Sequence, residues 1–484
     1  MDKKPDYWSK FLTWLVYSFI FIFSIYPYSD TDWGWHYRYG EYFIKTGSVL
    51  RKDIFSWTMN GFRWINPSWF YDVFLYVSFK YVGFAGLMVI GGLIALLVYY
   101  ISIKPFRLQI WQKIILGLFS FDFVTLILRQ SLRSQILILP FYPILAITLM
   151  KSKEKPKLLF FLPLVFLLWA NLHASFTLGL AIMFILLLTK IIFGFKNEKP
   201  NLKIYLAVMV LSFLATLVNP FTLGLYFEAL RHTNNQILSS YVVEWMPFFN
   251  YFRFGYFQGY IFISYILIMV VGFIRRRKIS DIPYVVTIFL LVYLTFESFR
   301  FVGPLLAFSL PVVAMMAQEI KINLKKPAIL QYLTSIFLVT LIMFGIKNRI
   351  IAINMFNYQY DDYCYWSTHC SEKLTRYLLK NPPVGNGFNF FDWGGYLIGR
   401  GIKSLYFVDG RMVTWKADNF YPFVDYYNIY YKKDYRRFAQ YNFDWVIIPS
   451  DSNIAHDLLK NNFFLGSWKR VYYDEKASYF VRQR

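Results

Sequence analysis

The sequence predicts an α-helical, polytopic membrane protein that carries a small α/β domain outside the membrane. Three observations predict it. The 484 residues are 57% hydrophobic, 22% aromatic and only 16% charged, too apolar and too aromatic for an ordinary soluble enzyme. Long segments almost without charge alternate with short clusters of Lys and Arg. From about residue 350 the long apolar segments stop, and short strand-like and helix-like pieces alternate instead. The net charge of +23 does not imply a nucleic-acid partner, because the cations are scattered over short loops and make no continuous basic face.

The membrane elements follow from apolar length. Spans are expected at 11–27, 84–103, 114–128, 136–150, 158–170, 176–193, 204–219, 256–274, 282–297, 302–318 and 328–346, eleven in all. Several fall short of the ~20 residues of a straight crossing, so 114–128 and 158–170 extend into polar ends or dip in and return. Residues 11–27 lack a small-residue cleavage site, which predicts a retained first span rather than a cleaved signal. Orientation follows from Lys and Arg. Every alternate connection is basic, as in Lys151-x-Lys153-x-Lys155-x-Lys157 and Arg275 to Lys278, whereas the short intervening ones carry only Arg129, Arg133 and Arg300. The N-terminus is therefore expected in the cytoplasm, in a plasma (inner) membrane, and the C-terminal segment outside. Residues 1–349 form the membrane domain, with long outer loops at 28–83 and 220–255, and 350–484 form the outer domain.

Within that outer domain, "SEKLTRYLLK" reads as a helix and "NGFNFF" as a strand. "SLYFVDG" and "DWVIIPS" read as further strands, "NIAHDLLKNN" as a helix and "WKRVYYDEKASYFVRQR" as a terminal hairpin. The two cysteines, Cys364 and Cys370, exclude a disulfide framework but allow one local bridge. A zinc site built from them and His369 is the weaker alternative.

Ionisable residues at membrane helix ends are costly and tend to face a cavity or one another. Here the outer ends carry a mixed set: Arg129 and Arg133, Asn171 and His173, Asn219, Glu244 and Trp245, Glu297 and Arg300. Asp30 and Asp32 follow the first span, with His36 four residues on. Each has two readings. Asp32 can cap a helix beginning at Trp33 or do chemistry. His36 can share a helix face with Asp32, as a carboxylate–histidine pair or as metal ligands, or do nothing. Asp30-x-Asp32 resembles acidic pairs that hold divalent metals through oxygen, a weak signal alone. Arg129 and Arg133 can clamp phosphate bidentately, or pair with Glu297 or Asp122, or grip lipid headgroups. Glu297 and Arg300 can form an internal salt bridge or a ligand site. The loop's Trp and Tyr residues are mainly an interfacial belt. No nucleophile elbow, P-loop, zinc signature or kinase set stands out.

The order of these motifs resembles the GT-C superfamily of polyprenol-dependent membrane glycosyltransferases, closest to a prokaryotic group related to protein O-mannosyltransferases and oligosaccharyltransferases. That group runs "D-x-WWHL-x-x-G", "D-x-FS-x-T-x-x-G-x-x-W", "LRPQ", "W-x-NLHGG", "NP-x-G", "EW" and "GGYL … DGR". Here the run is "DTDWGWHYRYG", "DIFSWTMNGFRW", "LRSQ", "WANLHAS", "NPFTLG", "EWMP" and "DWGGYLIGRGIKSLYFVDGR", over nearly the full length. This chain departs at "LRSQ", and at "NPSW", where many members have an acidic residue and Trp; Glu41, Asn66 or Asp72 are the candidates to compensate.

The resemblance implies a GT-C-like fold and transfer of a sugar from a polyprenyl-(pyro)phosphate donor to a glycan, lipid or protein acceptor on the outer face. Asp30 and Asp32 occupy the catalytic place. Arg129, Arg133 and Arg300 would bind the donor phosphate, with His36, His173, Glu244 and Glu297 accessory or metal-binding. Asp392, Trp393, Asp409 and Arg411 are the acceptor candidates of the outer domain. A divalent metal, magnesium or manganese, is the implied cofactor. The competing expectations are a non-catalytic component that binds or moves lipid-linked glycans in envelope polysaccharide assembly, and a scaffold whose outer domain binds a partner protein.

Overall fold

The computed structural model describes residues 7–128, 132–152, 154–193, 202–233, 236–250, 258–322, 327–418, 420–460 and 465–483. The chain divides into two compact units. One comprises Met1–Pro27, Ala85–Arg231 and Ser239–Asn357, the other Tyr28–Phe84, His232–Leu238 and Tyr358–Arg484. The division differs from the expected one: residues 28–84 group with the C-terminal segment, and the boundary falls at 357/358 rather than 349/350. The reason is packing and electrostatics: the first loop's acids and aromatic rings are buried against 358–484.

The membrane unit is helical. Each of the eleven apolar segments contains a helix, among them Tyr7–Phe23, Leu162–Leu172, Phe176–Ile192, Ile282–Glu297 and Val302–Ala317. Among the described residues, four helical stretches are long and apolar enough to cross a membrane: Trp69–Ile103, Ser134–Lys151, Phe299–Ala317 and Ile329–Asn357. Length thus supports a membrane protein, while the count of eleven crossings rests on the sequence alone. Helix Val302–Ala317 is the centre of the bundle and is buried almost end to end. It packs on Phe141–Lys151, Ile110–Leu128 and Ile282–Glu297. Helix Tyr7–Phe23 is held by glycines on two neighbours: a Cβ on Gly117 would lie 2.9 Å from Val16, and one on Gly345 would lie 2.7 Å from Phe23. Burying apolar side chains this closely recovers dispersion contacts that lipid would supply less well. Helix Trp69–Ile103 breaks its regular geometry at Gly83 (φ 59°, ψ −162°), which is why the apolar span is legible only from 84 onward.

The second unit, termed the outer unit after the side of the membrane the sequence predicts for it, contains a four-stranded sheet in the order β1-β2-β4-β3, with β1 Gly387–Asn389, β2 Trp445–Pro449, β3 Trp468–Tyr473 and β4 Ala477–Arg482. β1 and β2 run parallel, with Phe388 opposite Val446; the other pairs are antiparallel. Helices Glu372–Lys380, Phe391–Arg400 and Asn453–Leu459 fall where the sequence places them, and the terminal hairpin is β3–β4. "SLYFVDG" is not a strand. The Asn389 side chain takes its place in the ladder, its oxygen accepting from the Phe407 amide (2.9 Å) and its amide donating to the Val408 carbonyl (2.8 Å). Cys364 and Cys370 are disulfide-bonded.

Candidate functional site

The outer unit builds a carboxylate site from the turn that follows Tyr28. Asp30 is fully buried, and its Oδ1 accepts the backbone amide of Asp32 at 3.2 Å. This is an Asx turn: a short acid folding the chain over its own backbone. The Tyr363 hydroxyl donates to the Asp30 carbonyl at 2.5 Å and fixes the turn from the C-terminal segment. Asp32 stands at the N-cap position of helix Trp33–Thr46, but its side chain caps nothing. Its Oδ1 instead accepts the Trp35 indole N–H at 3.0 Å. The carboxylate is therefore turned off the helix terminus and is only half-buried.

Glycines let a second helix close over this turn. Gly395 and Gly399, four residues apart on Phe391–Arg400, meet Gly34 of Trp33–Thr46. A Cβ on Gly34 would lie 1.8 Å from the Gly395 carbonyl, and one on Gly395 2.4 Å from the Thr31 carbonyl. Gly410 meets the Asp32 carboxylate itself, since its Cβ would fall 1.9 Å from Oδ1. The close approach brings Asp392, in the first turn of Phe391–Arg400, next to Asp32. Burial and then the charge of Asp32 push the Asp392 carboxyl up to about 6. The folded chain thus keeps a proton that the unfolded chain releases near pH 3.9, and stability falls as pH rises between those values. Asp392→Asn removes the charge in both states. It is expected to raise the melting temperature at pH 8 and leave it unchanged at pH 4, measured by thermal unfolding at the two pH values.

Other acids and bases named from the sequence have different partners. His36 does not pair with Asp32; its Nδ1 lies 2.5 Å from Asp72 Oδ1, and Asn66 donates to Asp72 Oδ2 at 2.6 Å. The pair is buried and ties the two helices of the first loop together. Trp393 is buried, with its indole N–H on the Thr368 carbonyl at 3.1 Å. Arg411 grips Asp409 with Nε (2.8 Å) and Nη2 (2.6 Å), and Asp53 with Nη1 (2.7 Å); all three side chains are 0% exposed. Tyr39, Phe55, Trp64 and Trp415 surround the guanidinium at 5.1 to 5.9 Å. Asp409, Arg411 and Trp393 therefore hold the fold rather than face a ligand.

The membrane unit contains a separate cluster at its helix ends. Arg133 precedes the short helix Ser134–Leu137, and His173 ends Leu162–Leu172. Glu244 lies in the turn Val243–Trp245, and Arg300 in the turn Phe299–Phe301. The two turns run together, with the Phe299 amide donating to the Met246 carbonyl at 3.0 Å. Arg133 Nη1 lies 2.5 Å from Glu244 Oε1, and Arg300 Nη1 lies 3.5 Å from Oε2. The Arg300 guanidinium also stacks over Trp245 at 4.7 Å. His173 Nδ1 meets the Ser175 amide (3.1 Å) and hydroxyl (2.9 Å), and its Nε2 meets Arg300 Nη2 at 3.4 Å, so the ring links Arg300 to the end of its own helix. Two guanidiniums thus converge on one carboxylate.

Arg129 lies outside the described residues. Glu297 is exposed at the end of its helix and makes no ion pair among the described residues. Among the described residues, no three His, Cys, Asp or Glu side chains gather to hold a metal. Asp53, in "DIFSWTMNGFRW", and Ser175, in "WANLHAS", received no role from the sequence; the structure sets Asp53 on the Arg411 guanidinium and Ser175 on the His173 ring.

No protein-family model and no curated protein matches the sequence. Solved structures do match. The fold is similar to archaeal oligosaccharyltransferase AglB from Archaeoglobus fulgidus in complex with an inhibitory peptide and a dolichol-phosphate, with TM-score 0.57 and 11% identity over 92% of this chain and 69% of that one. It is also similar to the apo form of the Archaeoglobus fulgidus oligosaccharyltransferase, with TM-score 0.59 and 11% identity over 96% and 72% of the two chains. At this identity the likeness concerns the fold alone.

Proposed function

We propose that the protein is an integral membrane glycosyltransferase that moves a sugar from a polyprenyl-(pyro)phosphate donor to an acceptor on the extracytoplasmic face. The observation that carries this reading is the cluster of Arg133, His173, Glu244 and Arg300, three cation-bearing or N–H-donating side chains around one carboxylate. Guanidinium groups bind phosphate bidentately and stabilise the charge that a phosphate leaving group acquires. Asp32 is the base on the acceptor hydroxyl, since its carboxylate is turned off the helix it precedes and remains half-buried. Asp30 shapes the turn that presents it. The dolichol-phosphate and peptide in the AglB structure are ligands of the chemical class this reading requires.

A divalent cation belongs to the proposal in a narrow form. Asp30 is buried, with Oδ1 on the Asp32 amide. Asp32, with water, would hold magnesium or manganese, and the ion would supply charge neutralisation for the transfer.

The test is donor binding. Each guanidinium–phosphate contact contributes roughly 1.5–3 kcal/mol, so Arg133→Ala with Arg300→Ala should raise the KM for a polyprenyl-phosphate sugar by about a hundredfold or more. An unchanged donor KM removes the phosphate assignment. The alternative, a non-catalytic protein that binds or moves lipid-linked glycans, shares the arginine dependence but tolerates loss of Asp32.

A further inference from the structure

The outer unit displays an aromatic wall that no role given so far uses. Helix Pro422–Tyr430 and the residue after it place Tyr426, Tyr427, Tyr430 and Tyr431 together. Tyr426 and Tyr430 are stacked at 5.5 Å and 11°, Tyr427 and Tyr431 approach to 4.9 Å, and Tyr430 meets Tyr431 edge-on at 4.9 Å. Tyr426 is buried and anchors the wall. Tyr431 is 57% exposed, so its ring is accessible at the edge of the wall. The wall stands on the first turn of helix Phe391–Arg400, with Phe390 5.1 Å from Tyr430 and Phe391 5.8 Å from Tyr426. That turn carries Asp392, which is within electrostatic reach of Tyr426, Tyr430 and Tyr431 and adjoins Asp32.

We infer that the Tyr427–Tyr430–Tyr431 wall, with the Asp392 carboxyl at its foot, is a carbohydrate-binding subsite beside Asp32, and that the acceptor of the transfer reaction is a glycan. The chemistry fits a sugar on two counts. The C–H face of a pyranose carries partial positive charge and seats on the negative face of an aromatic ring. Its hydroxyl edge needs acceptors, which the carboxyl of Asp392 and the tyrosine hydroxyls provide. The same carboxyls disfavour the other occupants of an exposed aromatic patch. An anionic lipid headgroup would meet Asp392 and Asp32, while Lys432, 5.7 Å from the Tyr427 ring, makes a bilayer contact the rival outcome that the brominated-lipid measurement below decides. What the bound sugar is for rests on the transferase reading; that it binds does not.

The experiment measures binding without donor. Full-length protein in nanodiscs is titrated with chitotetraose and mannotetraose by calorimetry. At least one is expected to bind, and Tyr431→Ala to weaken it by about tenfold, a loss of roughly 1.4 kcal/mol. Tyr431→Phe should retain binding, because the ring and not the hydroxyl stacks. Asp392→Asn should weaken it. Because Tyr431 is exposed, the two Tyr431 variants should keep the parent melting temperature. Absence of binding to both oligosaccharides, or equal binding by parent and Tyr431→Ala, overturns the subsite. A bilayer role overturns it too: in Tyr431→Trp the added emission would then be quenched by brominated lipid in the nanodisc. If oligosaccharide binds as expected while no sugar is transferred by the parent protein, the subsite stands and the transferase reading fails.

Discussion

Asp32→Asn should lower kcat for sugar transfer by about three orders of magnitude while leaving expression, insertion and donor KM unchanged. Asparagine matches aspartate in size, so it still fits against Gly410, and its carbonyl oxygen still accepts the Trp35 indole N–H. The substitution removes only the ability to take a proton from the acceptor. Positioned bases contribute about 10²- to 10⁴-fold, which sets the expected magnitude. The neighbouring acids are the controls. Asp30→Asn keeps the oxygen that accepts the Asp32 amide, so it should preserve the turn and most of the turnover. Asp392→Asn should act on acceptor KM and on pH-dependent stability rather than on kcat. A kcat for Asp32→Asn within about tenfold of the parent removes the base assignment. Equal losses for Asp30→Asn and Asp32→Asn would show that the turn, and not the carboxylate, is what transfer needs.

The difference between these acids was only partly legible in the sequence. Two carboxylates one residue apart in an otherwise apolar chain are conspicuous, as are Arg133, His173, Glu244 and Arg300 at helix ends, because charge near a membrane is retained only for a reason. The eleven apolar segments are helical for the same plain reason of length and composition. Partner choice is where local reasoning stops. Glu297 and Arg300 stand three apart, the spacing of a helical ion pair, yet Ser298 is extended (φ −152°, ψ 125°) and puts them on different faces. Arg300 turns instead to Glu244, brought close by the backbone bonds between the two turns. His36 is four residues from Asp32, but Asp32 sits at the cap with its side chain on Trp35, so the histidine finds Asp72. "SLYFVDG" has the composition of a strand, yet its pairing is a single bridge of Tyr406 with Ser56, and the next amide goes to the Asn389 side chain.

Arg411→Ala should cost the outer unit about 3–5 kcal/mol, the largest single stability loss expected in this protein. The argument starts from burial. Arg411, Asp409 and Asp53 are all 0% exposed, so two carboxylates and one guanidinium have been taken out of water together. Their geometry compensates for that desolvation. The planar fork engages both oxygens of Asp409, reaches one of Asp53, and also donates to the Tyr39 hydroxyl at 2.9 Å. The second oxygen of Asp53 accepts the Ser56 amide (3.0 Å) and hydroxyl (2.5 Å). Removing the guanidinium leaves two buried anions facing each other inside a cage of aromatic rings, where water cannot reach them. Domains are stable by about 5–15 kcal/mol, so the loss takes a large share of the whole. Arg411→Lys should recover only part of it, since one ammonium cannot serve three oxygens in a fork. The combined replacement Asp53→Asn, Asp409→Asn, Arg411→Met should be milder than Arg411→Ala alone, because it removes the charges along with their partner. The readout is the protease resistance of the outer unit in nanodiscs under increasing denaturant. The alternative is that Arg411 contacts the acceptor, and it predicts the opposite ordering: Arg411→Ala would keep full protease resistance and lose acceptor binding. A protease-resistant, transfer-deficient Arg411→Ala would therefore move Arg411 from the lock of the first loop to the substrate itself.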